Sequence, residues 1–398
     1  MSPGKHALLS ASSAARWLHC PPSARLTEGM PDTAGPSAAA GTLAHAVAEL
    51  KLRKRFVRGV GPQKYRAAMK RFGEEHARLA AEHGEEAIGT WTEMERATDE
   101  YLEAVNEIAM AYPSLPYVAL EQTVDFSPWV PNGFGTADAL ILGDGTLHVV
   151  DFKFGRGVAV EAEGNPQMRL YALGALERYR LIYGVNAVRM TIVQPRNGGV
   201  SHAEPMAVPA LLAWAEAYVK PRSALAAKGE GDFAPGEWCR FCKVKATCRA
   251  RSDASLALEG FERRKPPLLT DAEVGEALRR ARDLKSWLTD IEDYALGTLL
   301  AGGDIPGWKA VEGRSLRAWT DQEAAFQAAK AAGIDEALLY KRVPVTLAAL
   351  EKDIGKAAFA PLLPYVTTPP GKPTLAPESD RRKAITARPS AEEDFGVQ

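Results

Sequence analysis

Nowhere in the 398 residues does an apolar run approach the roughly 18 needed to cross a bilayer, and the opening MSPGKHALLSASSAARWLHC has no uninterrupted apolar segment of the signal-peptide kind. A cytoplasmic protein with no membrane partner is expected. Cysteine is scarce: four thiols in a chain this long are too few for a secreted disulfide scaffold. The fold must therefore rest on its core, and a hydrophobic content of 46% supplies enough for one large domain or two medium ones. An excess of either charge is missing too, since 49 Lys and Arg against 50 Asp and Glu leave a net charge of -1. Any contact with nucleic acid must then come from a local basic groove. No GxxxxGK[ST] stretch occurs, so ATP-driven unwinding is not expected of this chain, and no internal repeat is evident.

What is present is strongly patterned. Residues 31–41, PDTAGPSAAAG, read as a flexible stretch before a helix that begins near Thr42 and runs through LAHAVAELKLRKRF. The charged segments YRAAMKRFGEEHARLAAEH and TEMERATDEYLEAVNEIAMAY continue as helices. The period then changes: YVALEQTVDF, FGTADALIL and TLHVVDFKF read as three strands, the last two joined by a Gly143-Asp144-Gly145 turn. QMRLYALGALERYRLI reads as an amphipathic helix, AVRMTIVQP as a fourth strand, and LLAWAEAYVK as part of a further helix. The expectation is a mixed α/β core flanked by helices over residues 1–250. A mainly helical accessory region over 251–365 follows, with ALRRARDLKSWLTDIEDYALGTLLAG as a long helix and WTDQEAAFQAAKAAG as a shorter one. Residues 366–398 are rich in Pro and polar residues and are expected to be extended or flexible.

The stretch VVDFKFGRG, residues 149–157, places Asp151 and Lys153 on the face opposite their apolar neighbours. If this strand pairs with GFGTADALIL through the turn, Asp138 approaches Asp151 while the apolar alternates stay buried. Neighbouring carboxylates repel each other and lose hydration, a cost that a divalent cation such as Mg²⁺ offsets. Such an ion polarises a phosphoryl oxygen and acidifies a bound water, with Lys153 orienting the water or neutralising phosphate charge. The plainer alternative is a hairpin with an ordinary solvated face. In GTLAH, His45 near a helix start is a candidate metal or phosphate ligand, or simply a packed histidine; Glu49, one turn on, either orients it or joins a surface ion pair. Gln167 and Tyr171 share a helix face at i,i+4, suited to positioning a phosphate, a water or the lysine. Glu121 either supports the acidic centre or makes a salt bridge, and Asp144 is explained by turn chemistry.

The segment EWCRFCKVKATCRA sets Cys239, Cys242 and Cys248 in C-x2-C-x5-C order, with Cys20 far upstream in ARWLHCP. Four thiolates suit a [4Fe-4S] cluster or tetrahedral Zn²⁺, and spacing does not choose between them. A metal joining Cys20 to the trio would clasp the N-terminal arm to the far end of the core; separate buried or free cysteines are the alternative. Arg240, Lys243, Lys245, Arg249 and Arg251, with Trp238 and Phe241, make a basic, partly aromatic patch for DNA backbone or an unpaired base, or else solvated charge around the thiols.

Taken in order, GTLAH, GTAD, DFK, QMRLY and CRFCKVKATC, with HCP upstream, resemble the RecB-like branch of the PD-(D/E)XK nucleases, in particular phage-encoded relatives of the iron-sulfur exonucleases of the AddB and CRISPR-associated kinds. The resemblance covers roughly residues 10–250 and departs from the family pattern in carrying GTAD in place of a Pro-Asp pair. It implies a restriction-endonuclease-like core clasped by a four-cysteine [4Fe-4S] site, with a C-terminal extension. By motif, His45, Asp138 and Asp151 would hold Mg²⁺ or Mn²⁺, Lys153 would be the catalytic lysine, and Gln167 and Tyr171 the auxiliary pair. Cys20, Cys239, Cys242 and Cys248 would hold the cluster, with iron-sulfur favoured over zinc. GWKAVEGRSLRAW and GKPTLAPESDRRKAI also resemble the tail of those phage proteins. The activity implied is metal-dependent exonucleolytic cleavage of linear or single-stranded DNA ends in phage recombination or replication, alongside a recombination, single-strand-binding or helicase protein. The alternatives are a catalytically inactive DNA-binding or complex-assembly protein on the same fold, and a zinc-clasped structural protein.

Overall fold

Between two strands, Asp144 and Gly145 both adopt left-handed backbone angles, φ 47° and 70°, which match the right-handed twist of a tight hairpin. That hairpin joins β2 (Phe134–Gly143) to β3 (Thr146–Phe152) and organises the chain. The structure is a computed structural model describing residues 7–31, 35–57, 59–157, 159–256, 270–311, 322–332, 339–340, 350 and 359–366. GKPTLAPESDRRKAI, most of GWKAVEGRSLRAW and all of the expected tail beyond residue 366 lie outside the described residues.

Strand β1 (Tyr117–Asp125) pairs antiparallel with β2, and β3 pairs in parallel with β4 (Ala187–Gln194). A parallel pair needs a crossover, and the helix Pro166–Tyr183 provides it. Two short strands absent from the sequence expectation, β5 (Gly199–His202) and β6 (Met206–Ala207), pair antiparallel with the remaining edge of β4.

Each face of the sheet carries its own apolar layer. On one, the Pro166–Tyr183 helix and the N-terminal arm pack Met168, Leu173, Trp17 and Leu18 against Leu140, Leu147 and Val149. On the other, the helices Pro36–Phe56 and Trp91–Met110 pack Val47, Leu52, Met94 and Tyr101 against Ile141, Val150 and Phe152. With both faces covered, β3 reads as a nearly continuous apolar run, and Asp151 is only 2% exposed. The solvated-face alternative for Asp151 therefore fails. The Pro36–Phe56 helix also starts six residues before Thr42, because Pro36 suits the first helical position and Ala38, Ala39 and Ala40 favour helix, so the expected flexible stretch is largely helical.

The alternation breaks at one place. Leu120 packs in the layer with the Pro36–Phe56 helix, whereas Val124, four residues on, packs in the opposite layer; Ala139 and Ala137 on β2 divide in the same way. A strict period of two would keep each pair on one face. On β1 the break falls at Glu121, whose φ of 50° is left-handed. The register runs Leu120↔Ala139 and Gln122↔Ala137, leaving Glu121 opposite Asp138.

The chain divides into two units, Met1–Tyr294 and Ala295–Gln398. The sheet and both layers belong to the first. Within the second, the helix Gln322–Ala331 carries Phe326 edge-on to Tyr340, ring centroids 5.3 Å apart.

The four-cysteine clasp requires correction. Cys20, Cys239, Cys242 and Cys248 line one cavity, and none of them is joined in a disulfide. Among the described residues, the set of His, Cys, Asp and Glu side chains whose ligand atoms all lie within 4.8 Å of one another is His45, Glu121 and Asp138, with no cysteine in it. Neither the [4Fe-4S] cluster nor its zinc alternative is supported. Burial pushes the Cys239 thiol up, against the opposing Gly236 N–H at 3.4 Å.

Direct contacts join the arm to the cysteine segment. His19 stacks on Trp238 with ring centroids 4.0 Å apart and planes 10° from parallel, and Lys243 Nζ donates to the Met30 carbonyl at 2.7 Å. Arg222 donates to the Leu18 carbonyl and Arg25 to that of Ala227. The basic patch is partly spent on structure, since Lys245 and Arg251 both pair with Asp290.

Candidate active site

Four elements converge at the end of the sheet where β3 and β4 terminate. β2 delivers Asp138 and β3 delivers Asp151, with Lys153 just beyond its last residue. The Pro36–Phe56 helix brings His45, and the first turn of the Pro166–Tyr183 helix brings Gln167. That turn is fixed by Asn165, whose side-chain oxygen accepts the N–H groups of Gln167 and Met168.

Asp138 is anchored at one oxygen and offered at the other. Its Oδ2 accepts the Phe152 N–H at 2.8 Å, while Oδ1 lies 3.4 Å from His45 Nδ1. The His45 ring stands edge-on to Phe152, which in turn stacks on Tyr101, so the imidazole is backed by buried aromatics. Glu121, turned into this layer by its left-handed backbone, completes the convergent set of three.

Asp151 belongs to a second cluster beside the first. Lys153 Nζ lies 3.0 Å from Asp151 Oδ2, an ion-pair distance without hydrogen-bond alignment, and that oxygen is buried with no hydrogen-bond partner. Oδ1 accepts from Gln167 Nε2 at 3.1 Å. The Gln167 carbonyl oxygen accepts from Lys153 at 3.2 Å, and Nε2 also reaches the Tyr171 hydroxyl at 3.3 Å. One amide thus fixes the carboxylate, the amine and the phenol. Tyr171 fits against β2 because residue 135 is glycine: a Cβ there would lie 2.8 Å from the ring.

The electrostatics of the two clusters agree. Burial raises the Glu121 carboxyl, and the charges of Asp138 and Glu49 add to it, to about 7. Burial raises Asp151 as well, against the pull of Lys153 and with the push of Asp138. Burial works in the opposite direction on His45 and Lys153, yet both are raised: Asp138, Asp151 and Glu121 outweigh it for the imidazole, and Asp151 and Asp138 for the amine. Four groups of two charge types all hold protons more tightly than usual. For the two carboxylates burial is the largest cause, and for the two cations the neighbouring carboxylates outweigh burial.

Residues 6–383 match the family described as "Protein of unknown function (DUF2800)". The chain belongs to that family. Among solved structures, this DUF2800 member is similar to the crystal structure of SSO0001, with 14% identity and a TM-score of 0.24 over 52% of this chain and 95% of that one. It is also similar to the crystal structure of LHK-Exo in complex with dAMP, with 14% identity and a TM-score of 0.23 over 47% of this chain and 91% of that one. At that level of likeness neither assigns an activity to the DUF2800 chain. No helix among its described residues is long and apolar enough to cross a membrane.

Of the residues singled out from sequence, His45 and Asp138 meet, and Asp151, Lys153, Gln167 and Tyr171 meet beside them. Asp151 lies outside the three-donor set in which it was expected, and Glu121 stands there instead. Glu49 is engaged with Arg53 at 2.6 Å. A signal for Glu121 was present: counted back along an antiparallel pairing, it is the β1 residue opposite Asp138.

Proposed function

We propose that this chain is a divalent-cation-dependent deoxyribonuclease that hydrolyses phosphodiester bonds at DNA ends. The observation that carries the reading is geometric: ligand atoms of His45, Glu121 and Asp138 all lie within 4.8 Å of one another, beside the Asp151–Lys153 pair at 3.0 Å. The donors fit a hard cation: two carboxylates and an imidazole converge, and the buried Asp151 Oδ2, 3.0 Å from Lys153 Nζ, stands beside them. His45, Glu121 and Asp138 would hold the ion, with Asp151 adjoining. When bound, a divalent cation supplies Lewis acidity toward a phosphoryl oxygen and acidifies a water.

The remaining chemistry falls to the protein. Lys153 keeps its proton, because the carboxylates around it outweigh its burial, so it acts as a fixed positive charge toward a phosphate or an attacking water. Asp151 holds the amine in place, and Gln167 sets the angle of both while tying them to Tyr171. Asp151, 4% exposed at its side chain, acts over a lower effective dielectric, while Lys153, 32% exposed, stays open to a phosphate.

The test is a nuclease assay on labelled linear and circular DNA with Mg²⁺, with Mn²⁺ and with chelator. Wild-type protein is expected to degrade linear DNA only with cation. Asp151→Asn and Lys153→Ala are expected to lose about 10²–10⁴ in kcat, the range of a positioned charge or proton-transfer group, while still binding DNA. Undiminished hydrolysis by both variants would sink the assignment. DNA binding by the wild type without turnover on any substrate would point to a binding protein on this fold.

A further inference from the structure

β3 and β4 run parallel, so the loops that follow them leave the same edge of the sheet. In open α/β sheets that edge is where ligands are held. Each loop carries an arginine: Arg156 lies three residues after Lys153, and Arg196 two residues after the end of β4.

The two arginines are not both balanced. Arg156 is 49% exposed and directs one nitrogen, Nη2, to both Glu93 oxygens at 2.8 Å. Glu93 is already engaged, because its Oε2 accepts the Thr90 N–H in the capping box that starts the Trp91–Met110 helix. The Arg196 guanidinium lies over the Phe154 ring, 4.3 Å from its centroid. Among the described residues its one hydrogen bond is a long one, 3.4 Å to the Phe154 carbonyl, and its Nε is buried without a partner. A guanidinium has five N–H donors to satisfy. Burial disfavours its charge, Arg156 disfavours it further, and Glu93 alone among the named neighbours supports it. Two cations share one carboxylate that the helix cap also uses.

From this we infer that Arg156 and Arg196 form a phosphate-binding pair that grips a non-scissile phosphate of the DNA strand beside the cleaved bond, Glu93 being the resident counter-ion that the phosphate displaces from Arg156. The planar guanidinium fork suits a phosphate, and Phe154 holds one of the two forks directly after the lysine of the reaction site. The identity of the strand rests on the nuclease reading; the imbalance of charge does not.

The experiment measures binding apart from hydrolysis. Full-length protein carrying Asp151→Asn is titrated in chelator against a fluorescent single-stranded oligodeoxynucleotide over a series of salt concentrations. Arg156→Ala and Arg196→Ala added to that background are each expected to flatten the plot of log K against log[salt] by roughly 0.7, the value of one lost phosphate contact on a single strand. Glu93→Gln retains a side chain able to close the capping box and is expected to act in the opposite direction, tightening binding several-fold at low salt. Unchanged slopes in both arginine variants would overturn the pair, as would weaker binding by Glu93→Gln. If Arg196→Ala does not fold, Arg156→Ala and Glu93→Gln decide the matter. Altered slopes beside a wild type that never hydrolyses DNA would uphold the pair and remove the nuclease reading, whereas active hydrolysis with unaltered slopes would remove the pair alone.

Discussion

The carboxylates of the acidic site sit on neighbouring strands whose flanking residues are paired, whereas the four cysteines sit on an N-terminal arm, a single 3-10 turn and the loops after it. Opposite residues on paired strands have their Cβ atoms about 5 Å apart, whatever else the chain does. Asp138 thus falls between Glu121 and Asp151 as a consequence of register, with one backbone inversion turning Glu121 toward His45. No such ruler acts on the cysteines. Their segment is positioned by the His19–Trp238 stack and the Asp290 ion pairs, and these bring the thiols to one cavity without converging their sulfur atoms. Donor residues in a suggestive order make a site only where the backbone fixes their separation.

The largest effect expected from breaking this contrast is on the ladder side. Asp138→Asn removes the carboxylate charge that His45 faces and is expected to weaken Mn²⁺ binding by about 10–100-fold or more, read by calorimetry, with cleavage lost in proportion. Gly135→Ala comes next. Its Cβ must displace the buried Tyr171 ring, so a stability loss of about 1–3 kcal/mol is expected, together with a fall in kcat of about tenfold as Tyr171 and Gln167 shift. Normal kinetics in Gly135→Ala would show that Tyr171 does not position the amide.

Glu121→Gln sharpens the contrast because its two effects have opposite signs. The folded-state pKa is raised from 4.5 to about 7, so the folded protein binds the extra proton. The stability this confers is complete below the unfolded value and is lost as pH rises toward 7. At about 1.4 kcal/mol per unit, reduced for partial exposure, the ionised group costs on the order of 1–2 kcal/mol at pH 8. Without cation, Glu121→Gln is therefore expected to be the more stable protein at pH 8 and equal to the wild type near pH 4, by denaturant titration. With Mn²⁺, the wild type is expected to gain stability that the variant does not. A variant less stable at pH 8 without cation would remove Glu121 from the charged centre.

Much of this arrangement was legible in the sequence. The alternation in TLHVVDFKF and the Gly-Asp-Gly turn give the β2–β3 hairpin, and the i,i+4 spacing of Gln167 and Tyr171 gives their shared face. The left-handed Glu121 was not legible, because nothing in YVALEQTVDF distinguishes an inverted strand from a regular one, and so its role stayed open between supporting the acidic centre and making a salt bridge. β5 and β6 are too short to show a period. The helical start at Pro36 was hidden by a composition that also suits a linker. The cysteine spacing raised the opposite difficulty, a pattern whose meaning depends on distances that no local rule sets.

The smallest expected effect lies on the cysteine side. Asp290 is 11% exposed at its side chain and pairs with Lys245 and Arg251. Burial raises its carboxyl, but the hydrogen bonds and charges of the two cations outweigh that and hold it below the usual carboxylate range. Its contribution is thus present above the unfolded pKa of about 3.9 and is lost as pH falls through the folded value. Asp290→Asn keeps one acceptor for Lys245 or Arg251 and is expected to cost about 1 kcal/mol at pH 7, with less difference from the wild type as the solution is acidified. If acidification instead widened the gap, the junction would not depend on the ionised carboxylate, and the stacking of His19 on Trp238 would be left as the contact that seats the cysteine segment against the arm.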